Sequence, residues 1–282
     1  MSVAFGVQGS SPLVDGAPDP SHYRRIAETA EAAGFDSLWA SDHIAFHHPL
    51  LDVTVALATF AAVTERIRIG AGVLLLPLRP PALVAREFAS LDYLSGGRVI
   101  LGVGVGGEVP ADFEAIGVPI RERGARTDAS MRALRELFPR QAPAPAQTGG
   151  PPLWVGGRSD AAIRRTAQLA DGWFPLWVSP ERYAEGLAQL GPEKTAALVL
   201  PALVGGTTED ARRYLSRRYA TEFSTHAIER YCVVGSLAQC AERVAEYVAA
   251  GAQHVVFHPA VEPDRLPEHV ELLAEVAYAA AR

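Results

Sequence analysis

The chain is poor in cysteine, in lysine and in long apolar runs. Cys232 and Cys240 are its only cysteines. Two thiols cannot build a disulfide framework, and this pair lacks zinc-site spacing. The longest apolar stretch, residues 70–78, falls far short of the roughly 20 residues that a membrane helix needs. The first ten residues, MSVAFGVQGS, lack the basic region and apolar core of a secretory signal. A cytoplasmic protein with no membrane partner is therefore expected. An excess of positive charge is also missing. With 26 basic and 32 acidic side chains, the net charge is −6, which gives no basic face for nucleic acid. Lys194 is the only lysine, so nearly every basic residue is arginine. Together with heavy use of alanine and proline, this reads as the coding bias of a GC-rich bacterium, not as adaptation to a partner.

Hydrophobic residues make up 49% of the 282 positions and charged residues 21%, enough apolar material for a large core. Short β-rich runs alternate with helical patterns along the whole chain. Strands are expected at 3–8, 36–41, 67–75, 98–104, 152–156, 172–175, 196–204 and 254–258. Helices are expected at 20–33, 52–64, 80–94, 122–138, 160–170, 180–190, around 209–219, 237–250 and 266–281. Ile26, Ala27 and Ala30 share one helical face, and Gly34 ends that helix. The strands are apolar on both faces, as in Val99-Ile100-Leu101 and Val255-Val256-Phe257. That pattern suits a parallel sheet covered by helices. Eight such units in one chain favour a closed α/β barrel, (β/α)8, as a single domain over residues 1–282. The Pro/Ala/Gly-rich stretch 139–150 is too short to divide it.

A barrel places its active site at the C-terminal ends of the strands. Four segments there carry candidate chemistry. Ser41-Asp42-His43 follows the second strand. Asp42 either orients the His43 imidazole, giving a proton donor near neutrality, or simply caps a loop. His47 and His48 follow, but no ligand at i+4 spacing on a helix supports a metal, and none is expected. Gly102-Val103-Gly104-Val105-Gly106-Gly107-Glu108 leaves the fourth strand. Its glycines permit close approach of a ligand or a plain turn, and its spacing is not that of a dinucleotide fingerprint. Gly156-Gly157-Arg158-Ser159 opens a helix and suits an anion, or else is only a helix cap. Gly70 and Gly72 inside a strand suggest a bulge. Phe46, Leu76, Phe113 and Trp177 are candidates for an apolar pocket.

Taken together, these segments resemble the bacterial luciferase-like flavin and deazaflavin oxidoreductases. The matching stretches include Ala33-Gly34-Phe35-Asp36-Ser37-Leu38-Trp39 with Ser41-Asp42-His43, and Ile69-Gly70-Ala71-Gly72-Val73. Further on they include Gly97-Arg98-Val99 with Gly102-Val103-Gly104, Phe113 to Pro119, Pro152 to Gly157, and Ala170-Asp171-Gly172-Trp173. The resemblance implies a (β/α)8 barrel that binds FMN or coenzyme F420 at its mouth. It implies that Gly156 and Gly157, with Arg158 beside them, hold the cofactor phosphate. Asp42, Gly104, Val105 and Gly106 would lie along the cofactor, and Gly72-Val73 would form a non-prolyl cis peptide behind the ring. The Ser-Asp-His sequence is most similar to the F420-dependent members. In those, His43 and a glutamate near Glu108 would act beside the ring, with Asp42 as a third catalytic candidate. His47 stands where alcohol- and sugar-phosphate-oxidising members carry tryptophan, and with Trp177 it is expected to line the substrate pocket.

The function implied is hydride transfer between F420 and a small organic substrate. Two alternatives are an FMN-dependent monooxygenase supplied by a flavin reductase, and a flavin-binding protein without catalysis. The resemblance also implies a homodimer.

Overall fold

The computed structural model describes residues 3–9 and 21–281. The expected helix start at residue 20 and the loop residue Ser10 lie outside the described residues. The chain builds β1 (Ala4–Gln8), β2 (Ser37–Ala40), β3 (Arg68–Leu75), β4 (Val99–Gly104), β5 (Leu153–Gly156), β6 (Gly172–Phe174) and β7 (Thr195–Val204). A short β8 (Val233–Gly235) and the last strand, β9 (His254–Pro259), complete the sheet. Neighbours pair in parallel in the order β1 to β7, then β9, and β9 pairs back to β1. Eight strands thus close the barrel. β8 is a ninth that the sequence reading missed; it pairs only with the last residues of β7, Ala202–Val204.

The helices between strands have local causes. α1 (Ser21–Ala32) buries Ile26, Ala27 and Ala30 on one face. In α2 (Val53–Val63), Asp52 caps the start, accepting from Thr54 N at 2.9 Å. Pro81 opens α3 (Pro81–Ser95), and Gly96 ends it at φ 69°. Beyond β4 lie α4 (Pro110–Ile116) and α5 (Arg123–Leu137). Serines cap α6 (Asp160–Leu169) and α7 (Pro180–Leu187). Capping boxes start α8 (Thr208–Tyr219) and α10 (Leu237–Ala249). α9 (Thr225–Tyr231) leads into β8, and α11 (Leu266–Ala280) closes the chain.

Two features of the interior position the site. Trp39, Trp154 and Phe174 fill the barrel axis, with Trp39 and Phe174 stacked at 4.5 Å between ring centroids. These residues form a solid floor beneath the mouth. β3 carries a register shift between Ala71 and Leu74, and its Gly72–Val73 peptide bond is cis, as the resemblance implied. Among the described residues no helix is long and apolar enough to cross a membrane.

Candidate active site

The loops at the C-terminal ends of the strands surround a cavity of about 550 Å³. Its best-defined element is His43. Its Nδ1 lies 2.8 Å from Oδ2 of Asp112, a residue from the first turn of α4 that is 1% exposed. The other oxygen of Asp112, Oδ1, accepts the backbone N–H groups of Ile44 and Ala45, both at 2.7 Å. The carboxylate is therefore an acceptor on all sides, and Nδ1 of His43 carries the proton. In the neutral ring that leaves the lone pair on Nε2. His43 lines the cavity and stacks on Phe46 at 4.2 Å.

Asp42 does not orient His43. Its side chain is buried and turned to Arg79, with Oδ1 2.7 Å from Nη2, while Oδ2 accepts the N–H of Leu75 at 2.9 Å. Arg79 also binds Asp52 at 3.0 Å. Burial alone would raise the Asp52 pKa, but the Arg79 hydrogen bond and charge bring it below the usual carboxylate range. Asp42 remains part of the cavity wall, as the anchor of the turn after β3.

His47 is a second correction. It is exposed and stands away from the cavity, and its Nε2 donates to the carbonyl of Arg218 at 2.7 Å. Phe46 takes the wall position instead. Leu76 and Phe113 are also core residues, 0% and 2% exposed. Trp177 does line the cavity. It sits at φ 61°, a left-handed conformation that is costly for a bulky side chain. Stacking on Phe223 at 4.9 Å and an edge contact with Tyr219 at 6.0 Å hold it there.

The glycines serve two purposes. A Cβ on Gly102 would fall 2.2 Å from the carbonyl oxygen of Ala71, and one on Gly104 2.4 Å from Cγ2 of Val73. One on Gly156 would fall 2.9 Å from Cγ1 of Val73. These three make room for the β3 bulge. Gly106, Gly107 and Gly157 have φ of 64°, 109° and 97°, so they turn the chain where other residues are disfavoured. Val105 and the exposed Glu108 also line the cavity.

The wall fits a flavin-like ligand. At the start of α6, Ser159 accepts from Ala162 N, which leaves the first-turn amides of Asp160 and Ala161 without intrahelical partners. Arg158, which directly precedes this helix cap, and Arg123 both line the cavity as cations. Val73 offers an apolar shelf between Gly104 and Gly156. Gln8 donates from Nε2 to the carbonyl of Gly72 at 3.0 Å, while its buried Oε1 has no partner among the described residues and is free to accept from a ring N–H. Sequence reasoning missed Asp112 and Arg218. Arg218 is 3% exposed, lines the cavity, and has no partner at Nε or Nη1 among the described residues.

The profile of the luciferase-like monooxygenase family matches residues 1–197, and the chain belongs to that family. A Mycobacterium tuberculosis protein described only as uncharacterized is 38% identical over 190 residues, 55% of this chain and 65% of the relative. The match thus spans just under two thirds of that relative's length. An F420-dependent glucose-6-phosphate dehydrogenase of Amycolatopsis mediterranei is 41% identical over 127 residues, 42% of this chain and 38% of that one. The 4-hydroxyprotoasukamycin monooxygenase of Streptomyces nodosus is 31% identical over 188 residues, 66% of this chain and 49% of that one. Among solved structures, an F420-dependent secondary alcohol dehydrogenase in complex with an F420-acetone adduct superposes with a TM-score of 0.82. It covers 99% of both chains at 16% identity, a likeness of fold. The family includes oxidoreductases described as F420-dependent and monooxygenases, and a structural neighbour is a Baeyer-Villiger monooxygenase in complex with FMN.

Proposed function

We propose that this protein is an F420-dependent oxidoreductase that passes a hydride between the deazaflavin and a small organic substrate. The observation that carries this reading is the His43–Asp112 pair. Asp112 fixes the proton on Nδ1, so Nε2 can take a proton from a substrate hydroxyl or, in the imidazolium, return one. A bound deazaflavin supplies hydride transfer, whereas reduced FMN supplies dioxygen chemistry. In this reading Gly156, Gly157 and Arg158 hold the cofactor phosphate. Gly72, Val73, Gly104, Val105 and Gly106 back and flank the ring, and Asp42 secures the turn beside it. Glu108 is a second acid at the mouth, and Trp177 borders the substrate. The F420-dependent relative supports this choice, while the Streptomyces nodosus monooxygenase supports monooxygenation as the second reading, for which FMN and a reductase partner are the proposed supply. We further propose a cytoplasmic homodimer. Val55 of α2 and Leu83, Tyr93 and Leu94 of α3 are exposed apolar side chains that support such a face.

Fluorescence titration of the purified apo-protein with F420 and with FMN tests the reading. The expected result is micromolar or tighter binding of F420 and at least about tenfold weaker binding of FMN. A preference for FMN, with oxygen uptake when a reductase is added, overturns it in favour of the monooxygenase.

A further inference from the structure

One wall of the cavity is unlike the rest. It is formed by Arg218 and Tyr219 at the end of α8, His258 in β9, and Leu176 and Trp177 after β6. Arg218 is 97% buried, yet its Nε and Nη1 have no hydrogen-bond partner among the described residues. Its flat cation lies 5.6 Å from the ring centre of Tyr219 and donates to the Tyr219 hydroxyl, a neutral partner that orients the charge without neutralising it. Nε2 of His258, beside it, is also buried without a partner. Burial, and then the Arg218 charge, push the His258 pKa well below its usual value, so this imidazole adds no second positive charge. A buried, unpaired guanidinium burdens stability unless something occupies it. It is held in place all the same. The His47 imidazole grips the Arg218 carbonyl at 2.7 Å, and Ala220 ends α8 in the left-handed conformation.

We propose that Arg218 anchors the substrate, and that the substrate class is an organic carboxylate with an apolar body. This rests on the reading of the mouth as an oxidoreductase site. The carboxylate sits on Nε and Nη1 of Arg218, within reach of His258 and the Tyr219 hydroxyl. The apolar part lies on Leu176 and Trp177. A single guanidinium with a neutral neighbour balances one negative charge, so a carboxylate fits better than a phosphate dianion. Arg158, beside the start of α6, belongs to the wall that the cofactor takes in this reading.

The test uses calorimetric titration of the wild type and of Arg218→Met, each with and without saturating F420. The probes are benzoate, phenylacetate, 4-phenylbutanoate and octanoate, each beside its neutral amide, and inorganic phosphate. The expected result is that at least one carboxylate binds about tenfold or more tightly than its amide to the wild type. Arg218→Met abolishes that preference, keeps F420 affinity within about twofold, and melts at the same temperature or higher, because an unpaired buried charge has gone. A merely structural arginine gives the opposite pattern: a lower melting temperature and no carboxylate preference in either protein. That result overturns the proposal, as does a preference that survives in Arg218→Met. Phosphate binding that depends on Arg218 and exceeds that of every carboxylate also overturns it. The probes are read without F420 as well, so failure of F420 to bind sinks the proposed function and leaves the anion result readable by itself.

Discussion

His43 owes the position of its proton to Asp112, a buried residue of α4 that also borders the cavity. Asp112→Asn keeps an oxygen for the backbone of Ile44 and Ala45 but presents a poorer, neutral partner to the ring. The expected outcome is a fall in kcat of about 10²-fold or more, with KM and F420 affinity nearly unchanged and the pH profile displaced. A variant whose losses lie only in KM or in folding would make Asp112 a loop anchor and nothing else. His43 was legible in the sequence because Ser41-Asp42-His43 follows a strand at the barrel mouth. Its partner was not. Asp42 stands next to it and was the natural candidate, but neighbours along an extended loop point apart, and Asp42 turns to Arg79. Asp112 lies 69 positions away and looks like any acid in a helix's first turn. Arg218 hid for a similar reason: it is one of five arginines between residues 212 and 230, and nothing local marks it as the buried one.

At the scale of elements, the bulge in β3 and the glycines of β4 and β5 act as one unit. The bulge pushes the Ala71 carbonyl and the Val73 side chain outward, and Gly102, Gly104 and Gly156 receive them. Gly102→Ala would set a methyl group 2.2 Å from that carbonyl oxygen, against backbone that cannot swing aside. We expect a loss of about 1–3 kcal/mol in chemical denaturation, with weakened cofactor binding as the bulge shifts. Unchanged stability would mean that β3 relaxes freely and the bulge is not fixed by these contacts. The glycines invited a ligand explanation in the sequence, and only the three-dimensional contact separates those that admit Val73 from those that turn the chain. The eight barrel strands and the long helices were legible because apolar runs alternate regularly with helical patterns along the chain, an order that places even the three-residue β6. α4, α9 and β8 were not, since seven residues or three hold too little periodicity to stand out.

For the whole molecule, several histidines make folding depend on pH. Burial first, then the charge of Arg68, pushes the His254 pKa down to about 3. Burial is also the main cause for His269, which is brought down to about 4. The unfolded chain binds protons at these residues near pH 6.5, whereas the folded one does not until pH 3 to 4. Stability is therefore complete above the unfolded value and falls as pH drops below it. The slope is up to about 1.4 kcal/mol per pH unit for each histidine. Urea midpoints should be level near pH 7 to 8 and decline steadily to pH 4.5. His269→Gln should make that decline shallower, and a midpoint constant over the range would contradict the neutral, buried state of these rings. Hydropathy placed these histidines in strands and helices, but their charge state follows from packing that composition does not encode.

The floor of Trp39, Trp154 and Phe174 makes the barrel a well, not a pipe. Whatever binds above it must arrive and depart through the same opening. Under the proposed function, a bulky cofactor and a small substrate share that doorway and form a queue: the first in, lying deeper, leaves last. Turnover then has a built-in order of traffic, and the loops around Phe46 and Trp177 become the gateposts past which every molecule has to file.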